Sequence, residues 1–176
     1  MQENIENHFL EILKTDSSRA IADILVDKIG NNHKYFQIIF NFCISKPYPI
    51  SMRAARVIQL CSEKNTKLIE PFLNNLISII LETNVEGVKR GFLKILSEMK
   101  DITKLIDCGI LVDKCFEWIA SQRENPAIRC YSINLIYNLY KIEPQLKNEF
   151  IFALNIAKED KSSAVKYKAI KTFSFL

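Results

Sequence analysis

Apolar residues recur along almost the whole chain at the three- and four-residue spacing of one helix face. In TKLIEPFLNNLISIILET, residues 66–83, apolar positions follow this spacing and polar residues fill the gaps. The same pattern elsewhere predicts about ten helices of two to four turns, joined by short polar links. Besides 66–83, the predicted helices cover residues 3–14, 17–29, 33–45, 50–63, 86–99, 110–121, 126–141, 145–159 and 163–175.

An internal repeat connects four of these helices. The aligned segments are MRAARVIQL (52–60), VKRGFLKIL (88–96), IRCYSINLI (128–136) and VKYKAIKTF (165–173). Each begins with an aliphatic residue or methionine followed by arginine or lysine, and the units are offset by 36, 40 and 37 residues. A period of this length, about one helix pair, is typical of stacked helical repeats. The residues in the second position form what we call the basic row: Arg53, Lys89, Arg129 and Lys166.

This pattern resembles the HEAT-repeat family of α-solenoids. The resemblance implies an all-α fold, a right-handed α-α superhelix (HEAT-like solenoid) of about ten short antiparallel helices. The predicted organisation is a single domain over 1–176 with a weak first unit at 1–30. The clearer repeats are expected at 33–64, 66–99, 102–141 and 143–176.

Segment 109–150 is similar to a small group of bacterial HEAT-like proteins, some of which bear the label adenylosuccinate lyase. Such lyases carry a serine-rich loop of the type SS-x-MP-x-K-x-NP and use paired histidines. Here neither Ser17-Ser18 nor Ser162-Ser163 is followed by Met-Pro, and His8 and His33 both lie in the weak N-terminal part. We therefore reject the enzyme label and expect no catalytic residues.

A helical wheel separates two kinds of basic residue on the repeats. On segment 88–99, Lys89 falls inside the apolar arc, whereas Arg90 and Lys94 fall outside it. The resemblance implies that the basic row has a structural role, each member reaching an acid or a carbonyl in an adjacent turn. Candidate acids are Glu82, Glu124 and Asp160. Arg56 belongs to no charged row, because its counterparts in the other units are uncharged.

The outward-facing positions of the second helices are the predicted binding surface, on the concave side of the solenoid. They mix cations, amides and two tyrosines, which suits an acidic peptide or a nucleic-acid phosphate but also an ordinary solvated face. We call these positions the outward row. Its binding candidates are Arg90, Lys94, Asn134, Tyr137, Asn138, Tyr167 and Lys171, and the remaining positions are Ala54, Ile58, Cys61, Ser97 and Ser174.

Composition narrows the chemistry further. With 48% hydrophobic and 25% charged residues the chain has a globular composition, and its net charge of +4 is low for a dedicated nucleic-acid-binding domain. The five cysteines are scattered and form no CxxC pair, so we expect reduced, buried thiols, no metal site and no cofactor. Trp118 has the helical spacing of a core residue. The start has no secretory-signal pattern, which places the protein in the cytoplasm.

Taken together, these features favour a non-enzymatic interaction or scaffold module that binds a protein or peptide on its concave face. The alternative is a nucleic-acid-binding protein, similar in plan to HEAT-like DNA-alkylation-repair proteins. No membrane partner is expected, because no apolar stretch approaches the length needed to cross a bilayer. The apolar C-terminal helix, ending in KAIKTFSFL, leaves two alternatives: two copies associate there as a homodimer, or its terminal apolar residues turn inward.

Overall fold

A computed structural model describes residues 2–99 and 108–176, with side chains described from residue 4 onward. Within these ranges the chain forms ten α-helices and no strand, which confirms the predicted all-α, HEAT-like solenoid class. The start of the repeat predicted at 102–141 lies outside the described residues. The helices are α1 (Gln2–Thr15), α2 (Arg19–Ile29), α3 (His33–Ser45), α4 (Ile50–Lys64), α5 (Leu73–Glu82), α6 (Glu86–Ser97), α7 (Gly109–Ala120), α8 (Pro126–Tyr140), α9 (Lys147–Lys158) and α10 (Ser163–Phe173).

Local chemistry explains where several helices begin and end. The Oγ of Ser18 accepts from the Ile21 N–H at the start of α2, and Asn32 and Asn125 cap α3 and α8 in the same way. Gly30 ends α2 with a φ of 49°, a conformation that favours glycine. Most boundaries predicted from the apolar period lie within about three residues of the observed ones.

The helix predicted over 66–83 is shorter than expected. Residues Thr66–Leu68 and Glu70–Phe72 form two single 3₁₀ turns, and α5 begins only at Leu73. Pro71 explains the interruption, because proline lacks the N–H that a continuous helix would use at this position. The correction moves the start of this helix by seven residues.

The chain divides into two compact units, Met1–Ile95 and Leu96–Leu176. In the first unit α4 is the central helix, since it packs against α1, α2 and α3. In the second unit α8 has the equivalent place and packs against α7, α9 and α10. The second helix of a pair is therefore the most enclosed element in each unit, and it carries one member of the basic row.

Phenylalanine side chains form the centre of the first unit. Phe40 and Phe92 stack with ring centroids 5.7 Å apart and ring planes only 3° from parallel. Phe72 contacts both Phe40, at 4.5 Å, and Phe36, at 5.6 Å. Since Phe36 and Phe92 are fully buried, this cluster joins α3, α6 and the turn before α5 in one apolar core.

Two glycines one turn apart let α6 approach α4 closely. A Cβ at Gly87 would lie only 2.3 Å from the Met52 Cγ. A Cβ at Gly91 would meet the Ala55 carbonyl oxygen at 3.6 Å and the Ala55 Cβ at 3.8 Å, which are ordinary contacts. The α4–α6 interface is therefore built on small residues, with room for one methyl group at position 91.

Substitutions at Gly91 should change stability in opposite directions. Alanine fits the available space and favours the helix, so Gly91→Ala should raise the free energy of unfolding by about 0.5–1 kcal/mol. Leucine would push into the α4 backbone, and Gly91→Leu should lower it by about 1–3 kcal/mol. Urea unfolding followed by circular dichroism measures both changes. A loss of stability in the alanine variant would show that α6 lies closer to α4 than described.

Candidate functional site

Arg129 of the basic row is buried in the second unit with only 2% of its surface exposed. Its Nε and Nη2 donate to the Ile119 carbonyl at 3.3 and 3.0 Å, and Nη2 also donates to the Asp160 Oδ2 at 2.6 Å. Asp160 is one of the predicted acids, and its Oδ1 accepts from the Ser162 N–H at 2.8 Å. The pair thus links the end of α7, the start of α8 and the turn between α9 and α10.

The electrostatics of this pair follow from its geometry. Burial raises the pKa of Asp160, but hydrogen bonds from Arg129 and the Ser162 amide outweigh burial and hold the pKa below its usual 3.8. The carboxylate is therefore ionised at neutral pH and fully used inside the protein. Asp160 and Arg129 thus form a buried internal ion pair that stabilises the fold, and they are not arranged to bind a partner.

Arg53 occupies the corresponding position in the first unit but is only partly buried. Its Nη1 donates to the carbonyls of Leu13 and Lys14 in the last turn of α1, at 2.7 and 3.1 Å. Its Nε is buried without an acceptor among the described residues. Arg53 therefore donates hydrogen bonds to carbonyl groups at the C-terminal, negative end of the α1 dipole, while its Nε–H lacks an acceptor.

The other two members of the basic row have different surroundings. Lys89 is half-buried, whereas Lys166 is exposed on α10. Positions that align in the sequence repeat therefore range from 2% exposed at Arg129 to open solvent at Lys166. Their roles in stability cannot be equal, since a charge is costly to bury and inexpensive to expose.

Lys94 of the outward row is bound within the first unit. Its Nζ lies 2.6 Å from the Glu63 Oε1, and that carboxylate also accepts from the Gln59 Nε2 at 2.8 Å. Burial raises the pKa of Glu63, but the hydrogen bonds from Lys94 and Gln59 outweigh it and lower the pKa. Lys94 connects α6 to α4 and is not a free cation.

Four outward-row positions are buried, contrary to the expectation from the wheel. Ala54 and Ile58 have no exposed surface, and Cys61 and Ser97 are 2% and 4% exposed. For the first three the reason is that α4 packs against α1, α2 and α3, so the side of α4 that the wheel places outward is an internal contact. These residues cannot contact a partner directly.

The members of the outward row on α8 and α10 differ in how far they are exposed. Asn134, Tyr137 and Asn138 are half-buried, and the Asn138 Nδ2 donates to the Ser97 carbonyl at 3.0 Å. Tyr167 is 65% exposed, and the Lys171 Nζ lies 5.9 Å from its ring centroid. Tyr167 and Lys171 are thus the most accessible candidates in the second unit.

The first unit contains a cavity of about 270 Å³ between the α1–α2 turn, α4 and α6. Three arginines line it, namely Arg53, Arg56 and Arg90, together with Asp16 and the small residues Ser17, Ser18, Gly87 and Gly91. Arg56 is exposed; its Nη1 donates a long 3.4 Å hydrogen bond to the Gln59 Oε1, and its charge contributes to lowering the pKa of Glu63. Guanidinium groups from two helices, α4 and α6, therefore meet at one cavity.

Comparison with known proteins decides the family. A model of the HEAT repeat domain matches residues 9–173, nearly the whole chain. The chain belongs to the HEAT-repeat family. HEAT repeats generally mediate protein interactions, and the family typically consists of non-enzymatic scaffolds. No curated protein and no solved structure is significantly similar to this chain.

The five cysteines of this HEAT-repeat chain are free thiols, and four of them have a raised pKa. Burial raises the pKa of Cys61 and Cys115 to about 12 and also raises that of Cys43 and Cys130. Across residues 2–99 and 108–176 no group of three or more metal-ligating side chains could hold a metal ion. Trp118, 9% exposed, is a core residue as predicted. None of the described helices has the length and apolar character that spanning a bilayer requires.

Sequence reasoning missed the arginine cavity because its members lie far apart in the chain. Arg56 was assigned to no charged row, and Arg53 and Arg90 were assigned to different rows. The repeat alignment does not include Asp16 or Ser18, although Ser18 has the sequence position of a helix cap. The repeat alignment compares equivalent positions, whereas the cavity brings together positions that are not equivalent.

Proposed function

We propose that this HEAT-repeat chain is a non-enzymatic scaffold that binds a partner protein through the outward side of α8 and α10. The observation that carries the proposal is the exposed aromatic and aliphatic surface of α10. Tyr167 is 65% exposed and Ile170 is 52% exposed on this one helix. Tyrosine and apolar residues at this exposure are typical of protein interfaces.

The charge of α10 indicates what kind of partner would fit. The helix carries Lys166, Lys168 and Lys171 and no acid over Ser163–Phe173. Burial lowers the pKa of Lys168, and the nearby charge of Lys171 lowers it further, which a bound carboxylate would relieve. An acidic segment with at least one apolar side chain would therefore complement this surface. The α8 candidates Asn134 and Tyr137 would extend the contact.

A paired-variant capture experiment tests the proposal. Tyr167→Ala/Lys171→Glu removes the exposed ring and reverses one charge, while Lys147→Glu reverses an exposed lysine on α9 as the matched control. Because interface tyrosines carry much of the binding energy, the double variant should bind about tenfold or more weakly to the captured partner. Proteins captured from nuclease-treated lysate by immobilised wild type and control, but not by the double variant, support the surface.

Two results would contradict this function. If the wild type, the double variant and Lys147→Glu capture the partner equally well, the α10 surface is not the binding site. Capture that disappears after nuclease treatment would favour the nucleic-acid alternative, whose binding should also fall steeply with salt.

Association of two copies is a second interaction that the apolar side chains of the second unit support. Phe152 is 67% exposed on α9 and Phe175 is 61% exposed just after α10. Large apolar side chains that are this exposed are typical of protein interfaces. Light scattering after size exclusion would show a doubled mass for the wild type and the single-chain mass for Phe152→Ser/Phe175→Ser. A single-chain mass for the wild type at high concentration would exclude this interaction.

A further inference from the structure

We propose that the cavity lined by Arg53, Arg56 and Arg90 binds a phosphomonoester group, carried on a phosphorylated peptide side chain. The site lies wholly in the first unit and is separate from the α10 surface. It does not depend on that surface having a partner. The proposal rests on the charge of the cavity, the available hydrogen-bond donors and the space between the helices.

The charge of the cavity matches a phosphoryl dianion. Three guanidinium groups and one carboxylate line it, which gives the lining residues a net formal charge of +2. Asp16 is the carboxylate, and its Oδ1 already accepts from the Ser18 N–H at 2.5 Å. A phosphomonoester carries about −1.5 to −2 charges at pH 7, whereas a carboxylate or a phosphodiester carries only about −1. The dianion is therefore the best electrostatic match.

Several donors at the cavity are not used inside the protein. Arg90 has no hydrogen-bond partner among the described residues, and Arg56 makes only its 3.4 Å hydrogen bond. Arg53 is held in place by two carbonyls, yet its buried Nε still lacks an acceptor. A planar guanidinium group can donate two parallel N–H hydrogen bonds to two oxygens of one phosphate group. An oxyanion here would accept hydrogen bonds from the exposed guanidinium groups of Arg56 and Arg90, and Arg53 would contribute its charge.

The backbone around the cavity adds to the fit. Ser18 caps α2 through its side chain, and the positive end of that helix faces the same cavity as the arginines. The wall formed by α6 carries Gly87 and Gly91, whose lack of side chains lets α6 bring Arg90 close to α4. A volume of about 270 Å³ leaves room for a phosphoryl group and the first atoms of the side chain that bears it.

Nuclear magnetic resonance titration tests this site with defined probes. The probes are acetyl-Gly-phosphoSer-Gly-amide, the same peptide without phosphate, inorganic phosphate and diethyl phosphate. We expect the phosphopeptide to cause saturable shifts of the Ser17 and Ser18 amide signals and of the Arg56 and Arg90 Nε–H signals. The unphosphorylated peptide should cause none, and diethyl phosphate, with one charge, should bind at least about tenfold more weakly.

The variant Arg56→Gln/Arg90→Gln removes two charges without touching the bonds of Arg53 to α1. We expect it to weaken phosphopeptide binding by about tenfold for each lost arginine. Arg123→Gln removes an exposed arginine from the second unit and should leave binding unchanged. Thermal unfolding of each variant confirms that the fold is retained.

The outcomes separate the proposal from its alternatives. Saturable binding of the phosphopeptide that the double variant loses and the control keeps would establish the site. If inorganic phosphate binds as tightly as the phosphopeptide, the peptide does not contribute to affinity. That result would overturn the assignment of a phosphorylated peptide as the ligand. No saturable shift with any probe at millimolar concentration, or equal binding by the double variant, would overturn the site.

Discussion

Replacing Arg129 with alanine should lower the free energy of unfolding by about 3–5 kcal/mol. The substitution leaves Asp160 ionised and only 6% exposed, without the guanidinium that compensates its burial. It also removes two hydrogen bonds to the Ile119 carbonyl. Urea unfolding measures the loss as a lower midpoint with little change in slope.

Lys166→Ala is the matched control, because Lys166 has the same repeat position as Arg129 but is exposed. Its effect should stay within about 0.5 kcal/mol. Equal losses for Arg129→Ala and Lys166→Ala would mean that the repeat position, and not burial of the pair, determines stability.

Measuring stability at low pH should distinguish the electrostatic contribution of the Arg129–Asp160 ion pair from the loss of apolar contacts in Arg129→Ala. The folded pKa of Asp160 is depressed, so the stability it contributes is present above the unfolded value of 3.8 and lost as the pH falls through the folded pKa. The stability difference between wild type and Arg129→Ala should therefore narrow below pH 3.8. A difference that stays constant with pH would indicate that Arg129 acts through its apolar stem alone.

Truncating Phe92 should destabilise the first unit by a similar amount. Phe92 is fully buried and stacks on Phe40, so Phe92→Ala leaves a cavity between α3 and α6 and should cost about 3–5 kcal/mol. Phe92→Leu should cost less, since most of the volume is kept. The measurement is again the free energy of unfolding in urea.

An exposed phenylalanine provides the control for this change. Phe152 is 67% exposed on α9, and Phe152→Ala should change stability by no more than about 0.5 kcal/mol at low protein concentration. A large loss for Phe152→Ala would show that its ring is covered in solution, as association of two copies through this surface requires.

The fold could be predicted from local patterns to a large extent. The 3.6-residue period identified ten helices, and caps such as Asn32 and Asn125 lie at observed helix starts. The predicted helix start at residue 66 was wrong because Pro71 lies in one of two 3₁₀ turns that precede α5. Proline is compatible with the first turn of a helix as well as with a break before it, so its position alone did not show where α5 begins. Helix existence is a local property, because it depends on residues within a few turns, whereas an exact start also depends on neighbouring elements.

The candidate site could be predicted only in part. The wheel correctly separated Lys89, half-buried, from the exposed Arg90. It failed on α4, where Ala54 and Ile58 face other helices, and it could not show that Lys94 binds Glu63. A wheel describes one helix, and it contains no information about which neighbours cover the opposite side.

The sequence by itself determined that this chain is a series of helix pairs with a basic residue at a fixed place in four of its repeats. Only the tertiary structure decided that Arg129 is buried on Asp160 while Lys166 remains in solvent. It also decided that Arg53, Arg56 and Arg90 share one cavity. The physical reason is that periodicity arises from contacts within a helix, whereas burial, ion pairing and cavities arise from side chains that meet across helices distant in sequence.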